Sequence, residues 1–341
     1  MKRPFSTFRS VLSAAALLFV LANCSHDPLD VSTDGVSVSI GYRNLDSLLV
    51  NTEKGQLQSA LLQWHATIPE VIDYELGYCL SAGRVSDTGM VNHVYAFRND
   101  AYIVRLEKRI ASTFKDLPQR HQKIADGFRY LKAHFPDVKV PKNVVYMNSF
   151  FASSAFCTEN DIAIGLDRYL GAKTDVIAEL PNREFYEWIK EGMEPRYLER
   201  DAVAAWIMTH IVPEKDGQNT IEAIIRWGKI LYLTEAAFPQ AEKNLIIRYT
   251  PVDYEWALKN ERAFWDHLVE HKLLFEKNEQ DQSNFLKEGP FTPGLPEKGP
   301  DRLGQFLGWR IIQSYMEQYE VTLPELLQLP YTELLQEYEI K

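Results

Sequence analysis

The sequence has little cysteine and no excess of basic residues. Three cysteines, Cys24, Cys79 and Cys157, occur among 341 residues, too few for a disulfide-stapled scaffold. Lys and Arg total 37 against 47 Asp and Glu, which gives a formal net charge of −10. A chain this acidic, without a basic stripe, is poorly suited to contact phosphate backbones. We therefore expect no nucleic-acid partner.

The chain also lacks an apolar run long enough to cross a bilayer, since a spanning helix needs about 20 residues. Its most apolar run, Val11–Ala22, is shorter and follows the basic residues Lys2, Arg3 and Arg9. This order is typical of a cleaved secretory signal peptide. The sequence therefore predicts a signal peptide over residues 1–23.

The signal segment ends in Leu21-Ala22-Asn23-Cys24, which resembles a bacterial lipobox, where the cysteine accepts lipid before cleavage. Asn23 stands where a lipobox usually has Gly, Ala or Ser. We predict lipidation of Cys24; the alternative is a secreted protein cut nearby, with Cys24 unpaired. Residues 24–35 are polar and contain Pro28 and Gly35, so they are expected to form a flexible tether that holds the protein at a membrane through its lipid.

The remaining pattern predicts a small early sheet followed by many helices. Apolar and polar residues alternate, or apolar residues run together, in three predicted strands: Val36–Tyr42, Val144–Met147 and Ile162–Leu166. Apolar positions recur at helical spacing in the predicted helices Leu57–Tyr78 (divided at Pro69), Tyr102–Phe114, Pro118–Phe135, Glu199–Ile211, Thr220–Thr234, Val252–Phe275, Gly304–Tyr319 and Leu323–Tyr338. This order indicates an α+β fold, predominantly helical, with a single domain over residues 36–341.

For two segments the sequence is compatible with more than one interpretation. Cys157 is expected in a loop between the second and third strands, and a bridge to Cys79 and two free thiols both remain possible. Glu276–Arg302 is rich in Gly and Pro and is expected to be a long connection without regular structure. Such connections are often functional, although an ordered surface loop without a ligand explains it as well.

His267-Leu268-Val269-Glu270-His271 matches H-x-x-E-H, the inverted zinc-peptidase pattern. Residues four apart share a helix face, so His267 and His271 could bind one metal while Glu270 activates water. The competing interpretation places both histidines beside a buried stripe of Phe264, Trp265, Leu268 and Phe275. A third ligand would have to come from Glu333, Glu337 or Glu339, which show no specific pattern.

A second candidate is a metal motif that lacks most of its ligands. Trp206-Ile207-Met208-Thr209-His210 lies on a predicted helix after the strand Ile162–Leu166, the order in which zincin peptidases place their H-E-x-x-H helix. Of that motif only His210 is present. Trp206 and Ile207 take the places of a ligand and the general base, and neither can bind zinc or move a proton.

We find no G-x-S-x-G elbow, P-loop or dinucleotide-binding glycine pattern.

Several segments of the C-terminal half together resemble one family. They are Gly228–Leu233, Arg248-Tyr249-Thr250-Pro251, Trp256, Asn260-Glu261, Trp265, Leu273–Phe275, Pro290-Phe291-Thr292, Pro300–Ile312 and Tyr315-Met316. The most specific is the Pro-x-Arg-x-Gly-x-x-x-Gly-Trp stretch of Pro300, Arg302, Gly304, Gly308 and Trp309. With the lipobox cysteine, they are similar to the gliding motility lipoprotein GldB family of Bacteroidetes-type bacteria.

This resemblance implies a zincin-like fold with a degenerate zinc site, hence no catalysis and no cofactor. It implies a cell-envelope lipoprotein, in the outer membrane facing the periplasm, which binds protein partners of the motility or secretion machinery. The alternative function is a zinc-dependent peptidase that uses His267, Glu270 and His271. A glycan or peptide binder, suggested by 17 Tyr and 7 Trp, is a third possibility.

Overall fold

The structure is a computed structural model that describes residues 28–215, 218–295, 299–336 and 338. The predicted signal peptide and Cys24 therefore lie outside the described residues. The strands are β1 (Gly41–Asn44), β2 (Asn143–Met147), β3 (Ala155–Cys157) and β4 (Asp161–Gly165). The α-helices are α1 (Leu45–Asn51), α2 (Leu57–His65), α3 (Pro69–Asp73), α4 (Met90–Arg98), α5 (Ala101–Thr113), α6 (Leu117–His134), α7 (Asp175–Ala178), α8 (Glu187–Glu191), α9 (Leu198–Trp206), α10 (Thr220–Ala237), α11 (Lys243–Ile247), α12 (Pro251–Lys259), α13 (Glu261–Glu270), α14 (Glu279–Leu286), α15 (Leu303–Gln318), α16 (Leu323–Gln328) and α17 (Tyr331–Gln336).

Shorter helical turns complete these elements. The 3-10 turns are Leu166–Tyr169, Pro195–Tyr197 and Leu273–Phe275, and the π-helical turns are Tyr74–Cys79 and Ile207–Ile211. The predicted α+β class with a predominance of helix is confirmed. None of the helices in the described part of the chain combines the length and the apolar character that crossing a membrane requires.

The sheet has the strand order β1-β2-β4-β3, in which β1, β2 and β4 are parallel and β3 pairs antiparallel with β4. β2 and β4 are apolar runs because both faces of the sheet are covered. Val144 and Ile162 face one hydrophobic cluster, which includes α6 and α9, while Val145 and Ala163 face the cluster formed by α1 to α4. The parallel strands end at one common edge, so the residues that follow them lie close together.

A third hydrophobic cluster is centred on the contact between α10 and α15. These two helices cross with their backbones in contact at Gly228 and Gly308. A Cβ atom on Gly308 would lie 2.0 Å from the carbonyl oxygen of Ile224, and one on Gly228 would lie 2.2 Å from that of Gly308. Only glycine allows so close an approach. The GldB-like stretch that contains Gly308 therefore holds the two central helices together.

The predicted strands Val144–Met147 and Ile162–Leu166 are confirmed, and so is the division of the predicted helical segment Leu57–Tyr78 at Pro69. The first predicted strand is wrong over Val36–Ile40, because these residues have no ladder partner. Val38 and Ile40 pack against the core, which explains the alternation of apolar and polar residues. Side chains of α6 take the place of a neighbouring strand: Lys132 donates a hydrogen bond to the Ser37 carbonyl, and the His121 ring contacts the Ile40 carbonyl.

Other predictions also need correction. Cys157 lies in β3 and not in a loop, and Cys79 and Cys157 are free thiols. Glu276–Arg302 contains α14, which Asn278 caps through its side chain. The helix predicted over Val252–Phe275 is divided into α12, α13 and a 3-10 turn, and the one over Leu323–Tyr338 into α16 and α17, with Pro330 between them.

Candidate functional site

A polar pocket of about 280 Å³ lies where several chain segments meet. Its walls come from the turn after β4, from the region of α8, and from the ends of α11 and α14 together with the start of α15. Four arginines line it, Arg168, Arg196, Arg248 and Arg302, together with four acidic residues, Glu191, Asp253, Glu288 and Asp301. Trp188, Tyr169, Tyr197 and Tyr249 supply aromatic surface. We call it the arginine pocket.

Arg248 enters the pocket because it ends α11 in a left-handed conformation, with φ of 59°. The Tyr249 N–H donates to the Asn244 carbonyl at 2.8 Å, and the Arg248 N–H donates to that of Leu245 at 3.2 Å. These two bonds define a Schellman motif, in which glycine usually takes the left-handed position. A non-glycine residue there stores strain of about 1–3 kcal/mol, and such strain clusters at functional sites.

Arg302 is also left-handed, with φ of 55°, and it is buried. Its guanidinium donates to the carbonyls of Ile247 at 3.0 Å and Arg248 at 3.3 Å, the C-terminal carbonyls that α11 leaves free. In return the Tyr249 hydroxyl donates to the Asp301 carbonyl. Hydrogen bonds in both directions thus hold the segments 248–251 and 300–302 together, and both segments are part of the family resemblance.

Carboxylates offset much of the positive charge. Arg248 lies 2.7 Å from Glu288 and 3.6 Å from Asp201, and Arg302 lies 3.0 Å from Asp301. Arg248 and Arg302 lower the pKa of Glu288 against the opposing effect of burial. Burial raises the pKa of Asp301, which Arg302 partly counteracts. The arginine pocket is therefore a dense ion-pair network.

Arg168 is the half-buried pocket arginine for which the described residues provide no carboxylate within 4.0 Å; Arg196 has none either, but it is exposed and donates to the Tyr197 hydroxyl at 3.0 Å. The buried Nε of Arg168 has no hydrogen-bond acceptor among the described residues, which is also true of the Nε of Arg248. Its Nη1 makes one long contact of 3.5 Å with the Phe151 carbonyl, and its Cζ lies 5.8 Å from the centre of the Phe185 ring. Burial lowers the pKa of Arg168. A half-buried guanidinium without a carboxylate in direct contact is unfavourable.

A second polar cluster lies beside the pocket, at the edge where the parallel strands end. It contains Asp46 after β1, Asp167 after β4, Glu75 from the first π-helical turn and Glu107 from α5. The Asp46 and Glu107 carboxyl groups share a hydrogen bond, and Asn148, after β2, donates to Glu107 at 2.5 Å. We call it the acidic cluster.

Burial raises the pKa of all four carboxyl groups, and repulsion by other cluster members raises those of Asp46 and Glu75 further. Asp167 is the best solvated by protein groups, since Ser149 donates to it from its backbone at 2.8 Å and Phe151 donates from its own backbone. Its pKa is about 6. The acidic cluster can therefore hold protons near neutral pH. In the described part of the chain, no group of three or more His, Cys, Asp or Glu side chains is arranged to hold a metal ion.

The structure places the first two residues of the incomplete zincin-like pentad in the core, whereas Thr209 is exposed. Trp206 is fully buried and donates from its indole N–H to the Lys139 carbonyl at 2.8 Å. Ile207 is also fully buried. His210 packs against Trp206 with ring centres 3.8 Å apart, and its Nε2 lies 2.9 Å from the Thr158 carbonyl oxygen. Burial lowers the pKa of His210.

The H-x-x-E-H string lies at the end of α13. The rings of His267 and His271 have centres 4.4 Å apart, and Nδ1 of His271 lies 2.9 Å from the His267 carbonyl oxygen. Burial lowers the pKa of His267, and Glu270 is exposed. Phe275, assigned above to the buried stripe beside this string, is 64% exposed, which corrects that assignment. Of the three proposed third ligands only Glu333 is described, and it accepts a hydrogen bond from Tyr315.

The fold and these sites define a mostly helical α+β protein with an arginine-lined pocket. The family described as gliding motility protein GldB matches residues 26–341. The chain therefore belongs to the GldB family and is a protein associated with gliding motility. No curated protein and no solved structure matches the chain.

Sequence reasoning named Arg248 and Arg302 only as carriers of the family resemblance and missed Arg168, Arg196 and Glu288. Their places in the chain are 168, 196, 248, 288 and 302, and no motif spacing connects them. The acidic cluster was missed because an acidic chain contains many pairs of carboxylates. The position of Asp167 directly after a buried strand was the one available signal.

Proposed function

We propose that this GldB-family chain is a non-catalytic lipoprotein of the cell envelope that binds a protein partner of the gliding motility machinery. Cys24 would carry the lipid, with the protein in the outer membrane facing the periplasm. The membership in the GldB family carries this proposal. The signal-like segment and Cys24 support the anchor, and the arginine pocket supplies a surface for the partner.

The non-catalytic part of the proposal is supported by the residues of the pentad. In a zincin-like active site the places of Trp206 and Ile207 would belong to a zinc ligand and a general base, and here both side chains fill the core. The helix α9 follows β4 in the chain and packs against β3 and β4, the order expected for such a relative. The proposal is a zincin-like body that binds its partner at the arginine pocket, without a metal or other cofactor.

The anchor is tested by complementation of a strain that lacks the gene. Full-length Cys24→Ala is expected to leave the membrane fraction and to fail to restore the phenotype, because it has no site for the lipid. Ser25→Ala, a comparable change one residue later, should stay in the membrane and complement. Glu270→Gln should complement as well, since it removes only the general base of the alternative peptidase. A Cys24→Ala protein that complements fully would refute the role of the anchor, and a failing Glu270→Gln protein would refute a non-catalytic function.

A further inference from the structure

The arginine pocket contains a half-buried cation that has no carboxylate in direct contact among the described residues; Asp167 and Glu288 act on it only from beyond 4.0 Å. Arg168 lines the pocket, its Nε is buried without an acceptor, and no described carboxylate lies within 4.0 Å of it. Its sequence neighbour Asp167 accepts hydrogen bonds from Ser149 and Phe151 and stabilises the Arg168 charge without contacting the guanidinium. A half-buried guanidinium in this position is stabilised when an anion binds beside it.

Glu288 already places one carboxylate in this pocket. It follows α14, its side chain is 51% exposed, and its Oε1 lies 2.7 Å from Arg248 and 3.8 Å from Arg302. The four arginines 168, 200, 248 and 302 all act to lower its pKa. Because this carboxylate comes from a surface connection and is half exposed, an incoming carboxylate can take its place without disturbing the core.

The receiving groups are held in fixed positions. The Nη2 of Arg248 donates to the Gly192 carbonyl at 2.7 Å, and its backbone is set by the Schellman motif of α11. Arg302 is tied to the end of the same helix. Side chains that are already ordered lose little entropy when a ligand binds, which favours affinity.

The size and the walls of the pocket indicate the kind of ligand. A volume of about 280 Å³ is at the lower limit for small-molecule sites and suits one side chain or the end of a peptide. Aromatic walls from Trp188 and Tyr197 suit an amphipathic group. The acidic residues Glu191, Asp253 and Asp301 also line the pocket, and they repel a dianionic phosphate more strongly than a carboxylate with a single charge.

We propose that the arginine pocket binds a carboxylate of a partner polypeptide, either its C-terminus or an Asp or Glu side chain, between Arg168 and Arg248, and that Glu288 is the intramolecular competitor for this site. The proposal rests on the proposed function, since it names the chemistry by which the partner is recognised. Planar guanidinium groups match the carboxylate geometry well.

The test is calorimetric titration of the full-length protein, purified in mild detergent, with short peptides. The first probe is acetyl-tetraalanine with a free C-terminus, and the second is the same peptide with an amidated C-terminus. The third is an acetylated, amidated alanine peptide that contains one Glu. The fourth is inorganic phosphate. We expect the first, the third or both to bind, and the amide without Glu not to bind. The first and third probes distinguish the two sources of the carboxylate.

Arg168→Gln should weaken binding roughly tenfold or more, because a hydrogen bond to a charged group is lost. Its melting temperature should stay near that of the wild type, since among the described residues the guanidinium makes one long hydrogen bond, to Phe151, and one cation–π contact, with Phe185. Glu288→Gln should strengthen binding by removing the competitor. Arg262→Gln is the matched control, because Arg262 is exposed on α13 and pairs only with Asp266 among the described residues; it should bind the peptides as the wild type does.

The proposal is overturned if no carboxylate peptide binds, if phosphate binds as tightly as the peptides, if Arg168→Gln leaves affinity unchanged, or if Glu288→Gln weakens it. Complementation separates this inference from the proposed function. If the wild-type protein binds none of the peptides and the Arg168→Gln variant still fails to complement, the pocket contacts the partner through a different ligand chemistry. A variant that complements fully while binding the peptides weakly would leave the pocket with no role in motility.

Discussion

The crossing of α10 and α15 provides the sharpest test of the fold. Gly308→Ala adds one methyl group where the structure has no room, since its Cβ would lie 2.0 Å from the Ile224 carbonyl oxygen and 3.0 Å from the Gly228 nitrogen. Ordinary contact begins near 3.4 Å, so the helices would have to separate by about 1.4 Å. Both obstacles are backbone atoms of a buried helix, which cannot rotate away as a side chain can.

The magnitude follows from two opposing effects. Overpacking of a close-packed core costs about 1–3 kcal/mol and sometimes more, and a gap of about 1 Å removes up to half of each dispersion contact it opens. Replacing glycine by alanine inside a helix by itself stabilises the helix by about 1 kcal/mol. Because the clash is between backbones, we expect the upper end of the overpacking range. Gly308→Ala should therefore lower the free energy of unfolding by about 2 kcal/mol, or the melting temperature by roughly 3 °C for a domain of this size.

The assay is urea unfolding of the full-length protein followed by circular dichroism, with thermal melts in parallel. Gly77→Ala is the matched control, because Gly77 lies in a π-helical turn and its added Cβ would meet no atom within 4 Å. That variant should equal or slightly exceed the wild type in stability. If Gly308→Ala is as stable as Gly77→Ala, the backbone contact between α10 and α15 is wrong.

Two further predictions concern buried polar groups. Trp309→Phe removes the indole N–H that donates to Glu235 at 2.7 Å and should cost about 1.5–3 kcal/mol in urea unfolding; a loss below about 0.5 kcal/mol would contradict this bond. Glu75→Gln should stabilise the protein at pH 8 and do so much less at pH 5. The reason is that burial raises the pKa of Glu75 in the folded state, so its carboxyl group destabilises the fold once the pH exceeds the ordinary pKa of Glu. An equal effect at both pH values would show that ionisation of Glu75 is not involved.

The parts of the fold that were predictable are those in which burial alone fixes the pattern. β2 and β4 are covered on both faces and appear as short apolar runs. Helices such as α5 and α6 carry one apolar stripe and begin at a helix start signal, Asp100 as a capping side chain and Pro118 in the first turn. Local sequence contains all the information that these elements need.

Elements that depend on distant partners were not predictable. The alternation over Val36–Ile40 predicts a strand, yet a strand also requires a neighbour, and β2 pairs only with residues 41–44 on that side. In the same way α14 was not predicted, because it lies in a segment whose Gly and Pro content indicated a long connection without regular structure. A helix of eight residues with a polar sequence owes its stability to contacts such as that of Phe285 with Phe264.

The arginine pocket could not be predicted because the helix end that forms it is fixed by tertiary contacts. Arg248 occupies the left-handed end of α11, where local preference favours glycine, and Arg302 from the start of α15 caps that end through two carbonyls. Each arginine is therefore part of the fold and part of the pocket wall. A ligand that displaced Arg302 would leave the end of α11 without its hydrogen bonds. The exposed side chains of the pocket, Glu288 foremost, have no such role. The response to a ligand should consequently be confined to the segment around Glu288 that follows α14, while the end of α11 and the start of α15 stay in place.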